Sequence, residues 1–253
     1  MNEQASDYGF RPRVIPLLVV IAMGIGVPYL GFVVADLSNA WLHTPGHGPN
    51  GFSLGWLYVQ HGAQFVFALV AIWVLKKWFV PADYGLHWPK NKTYFLPAVL
   101  WGAFFGVLMT LVDYAPQILA HTKPNLGYPL TTSNVSGWLF FEWVYVGPTE
   151  EVPLRALLVT YLLATMPGKF RFGRFNMSWA GVVVALIFAL LHANNFATRP
   201  WPQALGQQIY AVALGVLYAY WLEKSRSVIA ASISHNVGDG LEFAIEYTWI
   251  AFL

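Results

Sequence analysis

The stretch VSGWLFFEWVYVGPTEEVPLRALLVTYLLAT, Val135–Thr165, is apolar over most of its 31 residues, yet it carries Glu142, Glu150, Glu151 and Arg155. A membrane-spanning helix needs about 20 consecutive apolar residues. This segment is longer, and Gly147-Pro148 near its middle predicts a kink or a helix restart. Ionisable groups at bilayer depth are expensive, so those retained there are functional candidates. The segment thus decides the fold class and says where to look for chemistry.

Working outward, further apolar runs lie at Val14–Ala35, Leu54–Leu75, Tyr94–Val112, Trp179–His192, Ala204–Leu222, Val228–Asp239 and Gly240–Leu253. The reading is an all-α, multi-pass transmembrane helical bundle of seven or eight spans, with a kinked fourth span. The last two runs are short and read as a broken or re-entrant pair, which a membrane tolerates where backbone lines a cavity. The whole of 1–253 reads as one integral membrane domain, with its chemical core at about 135–240. Composition agrees: 57% of the chain is hydrophobic and 10% charged, against about 25% charged in soluble domains. Mean hydropathy is +0.51, and 12 Trp suit interfacial aromatic belts. With no Cys, disulfides, thiolate metal sites and cysteine nucleophiles are excluded. No basic tract or stacking platform points to nucleic acid. The run after Arg13 reads as a span and not as a cleavable leader.

Lys and Arg set the orientation. Arg11, Arg13, Lys76, Lys77, Lys90, Lys92, Lys169, Arg171, Arg174, Lys224 and Arg226 all fall on one side if the spans alternate, and the other side receives Lys123 and Arg199. The positive-inside rule then places the N-terminus in the cytoplasm, and a prokaryotic plasma membrane is the default location. Glu150 is 15 residues from Thr165, roughly 22 Å along a helix. His192 and His235 come out roughly 21 Å and 16 Å from the same side when counted as helix. A common depth, toward the outer half of the bilayer, is therefore expected.

Thr149 is a plausible N-cap for a restarting helix, with Glu150 and Glu151 in its first turn. Glu151 and Arg155 are spaced i,i+4 with the acid first, the favourable order for a pair. Glu150 points about 100° away from Glu151 on the helix wheel, so the two acids need not share a job. Phe188 and His192 lie on one helical face, as do His235 and Asp239. Adjacent carboxylates, an arginine one turn on and two later histidines suffice for acid–base hydrolysis.

The ordered set Glu-Glu-x-x-x-Arg, Phe-x-x-x-His and His-x-x-x-Asp, over roughly Val135 to Gly240, resembles the CPBP (Abi) family. That family contains CAAX prenyl endopeptidases, bacteriocin-processing enzymes and related glutamic intramembrane proteases. The resemblance implies that Glu150 is a general base activating water with His192. His235 and Asp239 would stabilise the oxyanion, and Glu151, Arg155 and Phe188 would support the site. It implies a metal-independent endopeptidase with no cofactor, acting on a membrane-associated polypeptide in the lipid bilayer. Asp239 stands where well-studied members have Asn; an ionised Asp cannot donate to an oxyanion, so orienting His235 is its alternative role. Pro153 within the first motif and Ala156 in place of Gly are further departures.

The competing readings are a non-catalytic membrane scaffold or immunity-type binding protein, and a zinc-dependent membrane hydrolase using His192, His235 and a carboxylate. Among other polar residues, Glu142 reads first as a helix-packing hydrogen bond and second as a substrate-binding group in the cavity. Asn194 and Asn195 read as helix-end caps, with Asn195 the candidate for contact with substrate backbone. His43 and His47 read as part of a flexible, non-metal loop, and Asp36 and Asp113 as solvated span ends. Glu242 and Glu246 share a face of the last segment, lining a cavity or facing water.

Overall fold

The computed structural model describes residues 9–10, 12–42, 53–90, 92–124, 126–173 and 175–252. The loop with His43 and His47 lies outside the described residues, as do Arg11 and Arg174. Long helices are α1 (Val14–Leu42), α2 (Leu54–Trp78) and α3 (Phe95–Asp113), followed by the short α4 (Ala115–Ala120). A continuous helical rod over 132–165, here α5, comes next, then a hairpin of β1 (Lys169–Phe172) and β2 (Phe175–Ser178). The chain closes with α6 (Trp179–Leu191), the short α7 (Asn195–Thr198), α8 (Trp201–Ser225) and α9 (Ile229–Phe252). The two-stranded antiparallel hairpin is the sole departure from all-α architecture among the described residues.

Four helical stretches are long and apolar enough to cross a membrane: Val14–Asn39, Leu54–Trp78, Phe95–Asp113 and Trp179–Thr198. Their outward faces are apolar, with Ile15, Leu18 and Ile25 on α1 and Leu96, Leu100 and Phe104 on α3 all exposed. Such a surface belongs against lipid, where these side chains meet acyl chains instead of water. The protein is an integral membrane protein.

The basic segments gather at one end of the bundle. Gly9 N donates to Lys169 O (2.9 Å), and Val228 N donates to Gly85 O (3.1 Å). Arg13 donates to Thr165 O (3.0 Å) and Ser227 Oγ to His87 O (2.6 Å). Lys123 sits at the other end, donating to Ile250 O (3.1 Å).

Two expectations are corrected. The last two runs are not a broken pair: α9 is one uninterrupted helix, with Gly238 and Gly240 in its interior. Glycine weakens a helix but does not stop it where packing rewards it, and here it does. A Cβ at Gly102 or Gly106 of α3 would sit 2.6 Å from the Ser234 or Gly238 carbonyl oxygen of α9. These small residues let the two backbones touch, the usual basis of close helix pairing in lipid.

The second correction concerns α5. It does not restart at Thr149, whose hydroxyl donates back to Tyr145 O (2.8 Å) and Val146 O (3.0 Å) inside a continuing helix. The rod instead widens into π-helical turns at Phe141–Tyr145 and Val152–Val159. Pro148 and Pro153 each lack an N–H, so the carbonyls one turn earlier lose a donor. Side chains from neighbouring helices replace them: Asn236 Nδ2 donates to Val144 O (3.2 Å) and Gln64 Nε2 to Thr149 O (3.1 Å). The two prolines thereby dock α5 onto α9 and α2, and π turns of this kind concentrate at functional sites.

Candidate active site

Glu150 and Glu151 lie between those π turns and face apart. The Glu151 side chain is fully buried (0% exposed), with Oε2 3.1 Å from Arg155 Nε. Its other oxygen accepts from His235 Nδ1 at 2.8 Å. Arg155 is equally buried, and its terminal nitrogens have no hydrogen-bond partner among the described residues. Its guanidinium lies instead over the faces of Phe188 (4.8 Å) and Tyr218 (5.1 Å), a cation–π arrangement that is strongest when desolvated.

Glu150 keeps 22% of its side chain exposed. Oε1 is 3.1 Å from His61 Nε2 on α2, and Oε2 is 3.8 Å from His235 Nε2 on α9. The same His235 nitrogen is 3.1 Å from Asp239 Oδ2, one turn on. Both ring nitrogens of His235 therefore face carboxylates, and its ring stacks on Tyr218 (5.5 Å between centroids, 23° between planes). A carboxylate accepts and does not donate, so this setting calls for hydrogen on both nitrogens. His235 lies six residues into α9, about 9 Å along the helix; the turn at Arg226 (φ +61°) breaks the path that a continuous helix from Lys224 assumes.

His192 caps the C-terminal end of α6. Its Nδ1 is 2.9 Å from the Phe188 carbonyl oxygen, and Phe188 meets the imidazole edge-on at 4.9 Å and 82°. A carbonyl only accepts, so Nδ1 carries a hydrogen toward Phe188 O, and Nε2 is the ring nitrogen left for another partner.

Two cavities meet here. One, of about 220 Å³, is an apolar groove between α1, α2, α5 and α6, lined by Val27, Trp56, Leu154, Leu157 and Leu191 among others. The second, of about 690 Å³, is rich in polar groups and reaches Gln117, Thr198 and Arg199, toward the end opposite the basic loops. Glu150, His61, His192 and Phe188 line both. The larger cavity also takes in Glu142, His235, Asp239, Glu242 and Glu246, so Glu142 is buried at a cavity wall, and Glu242 and Glu246 are cavity-lining. Among the described residues no group of three or more His, Asp or Glu is arranged to hold a metal ion.

Three side chains stand where the sequence reading does not put them. Asp113 is not a solvated span end: its carboxylate is 7% exposed and 2.6 Å from Arg199, with Tyr210 donating to it as well (3.2 Å). Burial at the cavity wall demands a countercharge, which α7 and the following turn supply. Asn195 is no helix cap; it is buried and donates to Gln207 Oε1 on α8. Its amide nitrogen is therefore engaged within the protein. His61 escapes the sequence reading altogether, although Gln60-His61 and Gln64 interrupt an otherwise apolar span. Membrane-depth polarity alone would have marked it.

Neither a curated protein nor a solved structure matches the chain. Residues 132–241 match the family model for Rce1-like type II CAAX prenyl endopeptidases. That range holds all three motifs and every side chain of the Glu150–Glu151 cluster except His61. The segment that builds the site is therefore similar to Rce1-like type II CAAX prenyl endopeptidases, in agreement with the CPBP family.

Proposed function

We propose that the protein is an intramembrane endopeptidase that hydrolyses a peptide bond of a membrane-associated polypeptide with water activated by Glu150 and His192. The observation that carries this reading is the Glu150 carboxylate and the His192 imidazole lining the same two cavities, one polar and one apolar. The apolar groove suits a membrane-embedded stretch of substrate, and the polar cavity suits delivery of water and departure of the cut polar segment. No metal or other cofactor has a part in the reading.

Glu150 takes a proton from water while the oxygen attacks the scissile carbonyl, with His192 Nε2 holding the water in line. His235, hydrogen-bearing on both nitrogens and fixed by Glu151 and Asp239, supplies positive charge beside the developing oxyanion. Asp239 accepts from His235, so orienting that ring is its role in preference to donating to the oxyanion. Arg155 and Glu151 keep His235 and α5 in register, with Phe188 packed between Arg155 and His192. Glu142 is the remaining candidate for substrate contact in the cavity; the commitment of Asn195 to Gln207 argues against its direct use.

With the basic end in the cytoplasm, in keeping with a prokaryotic plasma membrane, the polar cavity faces the outer side. The substrate's cut segment would then leave outward. The test compares protein termini by mass spectrometry in membrane and secreted fractions of cells lacking this chain and supplied with wild type or Glu150→Gln. Termini that appear with wild type and vanish with the variant support proteolysis and name substrates. Identical termini with equal amounts of folded protein favour a binding or scaffold role.

A further inference from the structure

The Glu150 carboxylate is not alone in its cavity. His61 of α2 has a side chain only 10% exposed, and it meets Phe141 edge-on at 4.9 Å and 86°. Its Nδ1 lies 3.0 Å from the Leu57 carbonyl oxygen and its Nε2 lies 3.1 Å from Glu150 Oε1. A carbonyl oxygen only accepts, so Nδ1 must carry a hydrogen. A neutral ring would then turn a bare lone pair toward Glu150. A hydrogen bond at Nε2 therefore requires one further proton shared between the imidazole and the carboxylate.

We infer that His61 is the positioning residue for Glu150: as an imidazolium it holds Oε1 through the shared proton and leaves Oε2, on the His235 side, for water. The inference rests on the reading of Glu150 as general base. In the attack, the water oxygen bonds to the scissile carbon and the carbonyl electron pair moves onto oxygen. The released water proton goes to Glu150 Oε2. When the carbon–nitrogen bond breaks, that proton passes to the departing amine, and Glu150 is again a carboxylate. The His61 proton stays on the Oε1 side throughout, so the pair ends as it began. Other charged or titratable groups facing the pair are His235 and Asp239 on α9, His192 at the end of α6, and Glu142 on α5, all lining the same cavity.

A merely structural role, tying α2 to α5, is already served by other bonds. Tyr58 OH donates to Gly137 O (2.9 Å), and Tyr145 OH donates to Tyr58 O (3.0 Å). Gln64 Nε2 donates to Thr149 O (3.1 Å) one turn further along. Replacing His61 leaves these in place, so its variants are expected to fold.

The test uses the full chain in lipid nanodiscs with nitrogen-15 labelled histidine, at neutral pH. The His61 ring signals are identified by their loss in His61→Gln. The expected wild-type spectrum has both His61 nitrogens protonated, and Glu150→Gln strips the hydrogen from Nε2 while Nδ1 keeps its own. An Nε2 that is bare in the wild type, or unchanged by Glu150→Gln, overturns the inference. On a substrate found through the termini comparison, His61→Leu lowers kcat by about 100-fold at constant KM. His61→Gln, which restores a donor to Oε1, recovers about 10-fold of that loss. A His61→Leu variant with wild-type kcat also overturns the assignment. The ring-nitrogen result does not depend on turnover, so it separates failure of this pairing from failure of the peptidase reading.

Discussion

Glu150 and Glu151 are joined by one peptide bond, yet their carboxylates occupy unlike surroundings. The Glu151 side is sealed: carboxylate and Arg155 are both fully buried, with His235 and two aromatic faces closing the cluster. The Glu150 side is open, with one oxygen held by His61 and the other at the meeting point of a polar cavity and an apolar groove. Burial of a charge is tolerable only when it is matched, and breaking a matched pair leaves the survivor stranded. A reactive carboxylate needs the reverse, a site for water and an oxygen free to receive a proton. Under the proposed function, the comparison separates holding the site in shape from performing chemistry within it, and a single step along a helix of about 100° is enough to do so.

The largest expected effect tests the open side. Glu150→Gln keeps shape and removes basicity, so cleavage falls by about 10⁴-fold while thermal unfolding stays at the wild-type temperature. On the sealed side, Arg155→Leu strands Glu151 and is expected to cost about 3–5 kcal/mol of stability, read as a lower unfolding temperature in detergent. If Arg155→Leu unfolds as wild type does, the sealed cluster is not what holds α5 and α9 together. Gly106→Val pushes α3 from the Gly238 carbonyl and is expected to cost about 1–3 kcal/mol, lowering the unfolding temperature without touching either carboxylate. Asp239→Asn gives the smallest effect: its amide oxygen still accepts from His235, so kcat falls by about 10-fold or less. A 1,000-fold fall would instead assign the Asp239 charge a direct part in catalysis.

Much of this arrangement was legible in the sequence because it is local. The apolar runs of α1, α2, α3 and α6 announce themselves by length, and most of the Lys and Arg residues between the runs sort onto one side. Glu150, Glu151, Arg155, Phe188, His192, His235 and Asp239 are marked by polarity in apolar segments and by their spacing. What escaped depends on contacts between distant segments. Gly238 and Gly240 look like breaks until α3 is seen to press its own glycines against α9. Pro148 and Pro153 suggest a restart until Asn236 and Gln64 are found taking over the freed carbonyls. Asp113 looks solvated because its countercharge, Arg199, lies 86 residues away. His61 belongs to no motif, and only the approach of α2 to α5 reveals its partner.

The most direct test of the division between the two carboxylates compares Glu150→Gln and Glu151→Gln in the same lipid nanodiscs, measuring thermal unfolding and cleavage of one substrate together. The account predicts that Glu150→Gln unfolds at the wild-type temperature and does not cleave, whereas Glu151→Gln unfolds at a clearly lower temperature. Cleavage by Glu150→Gln at the wild-type rate, or a Glu151→Gln protein as stable as wild type, would contradict it.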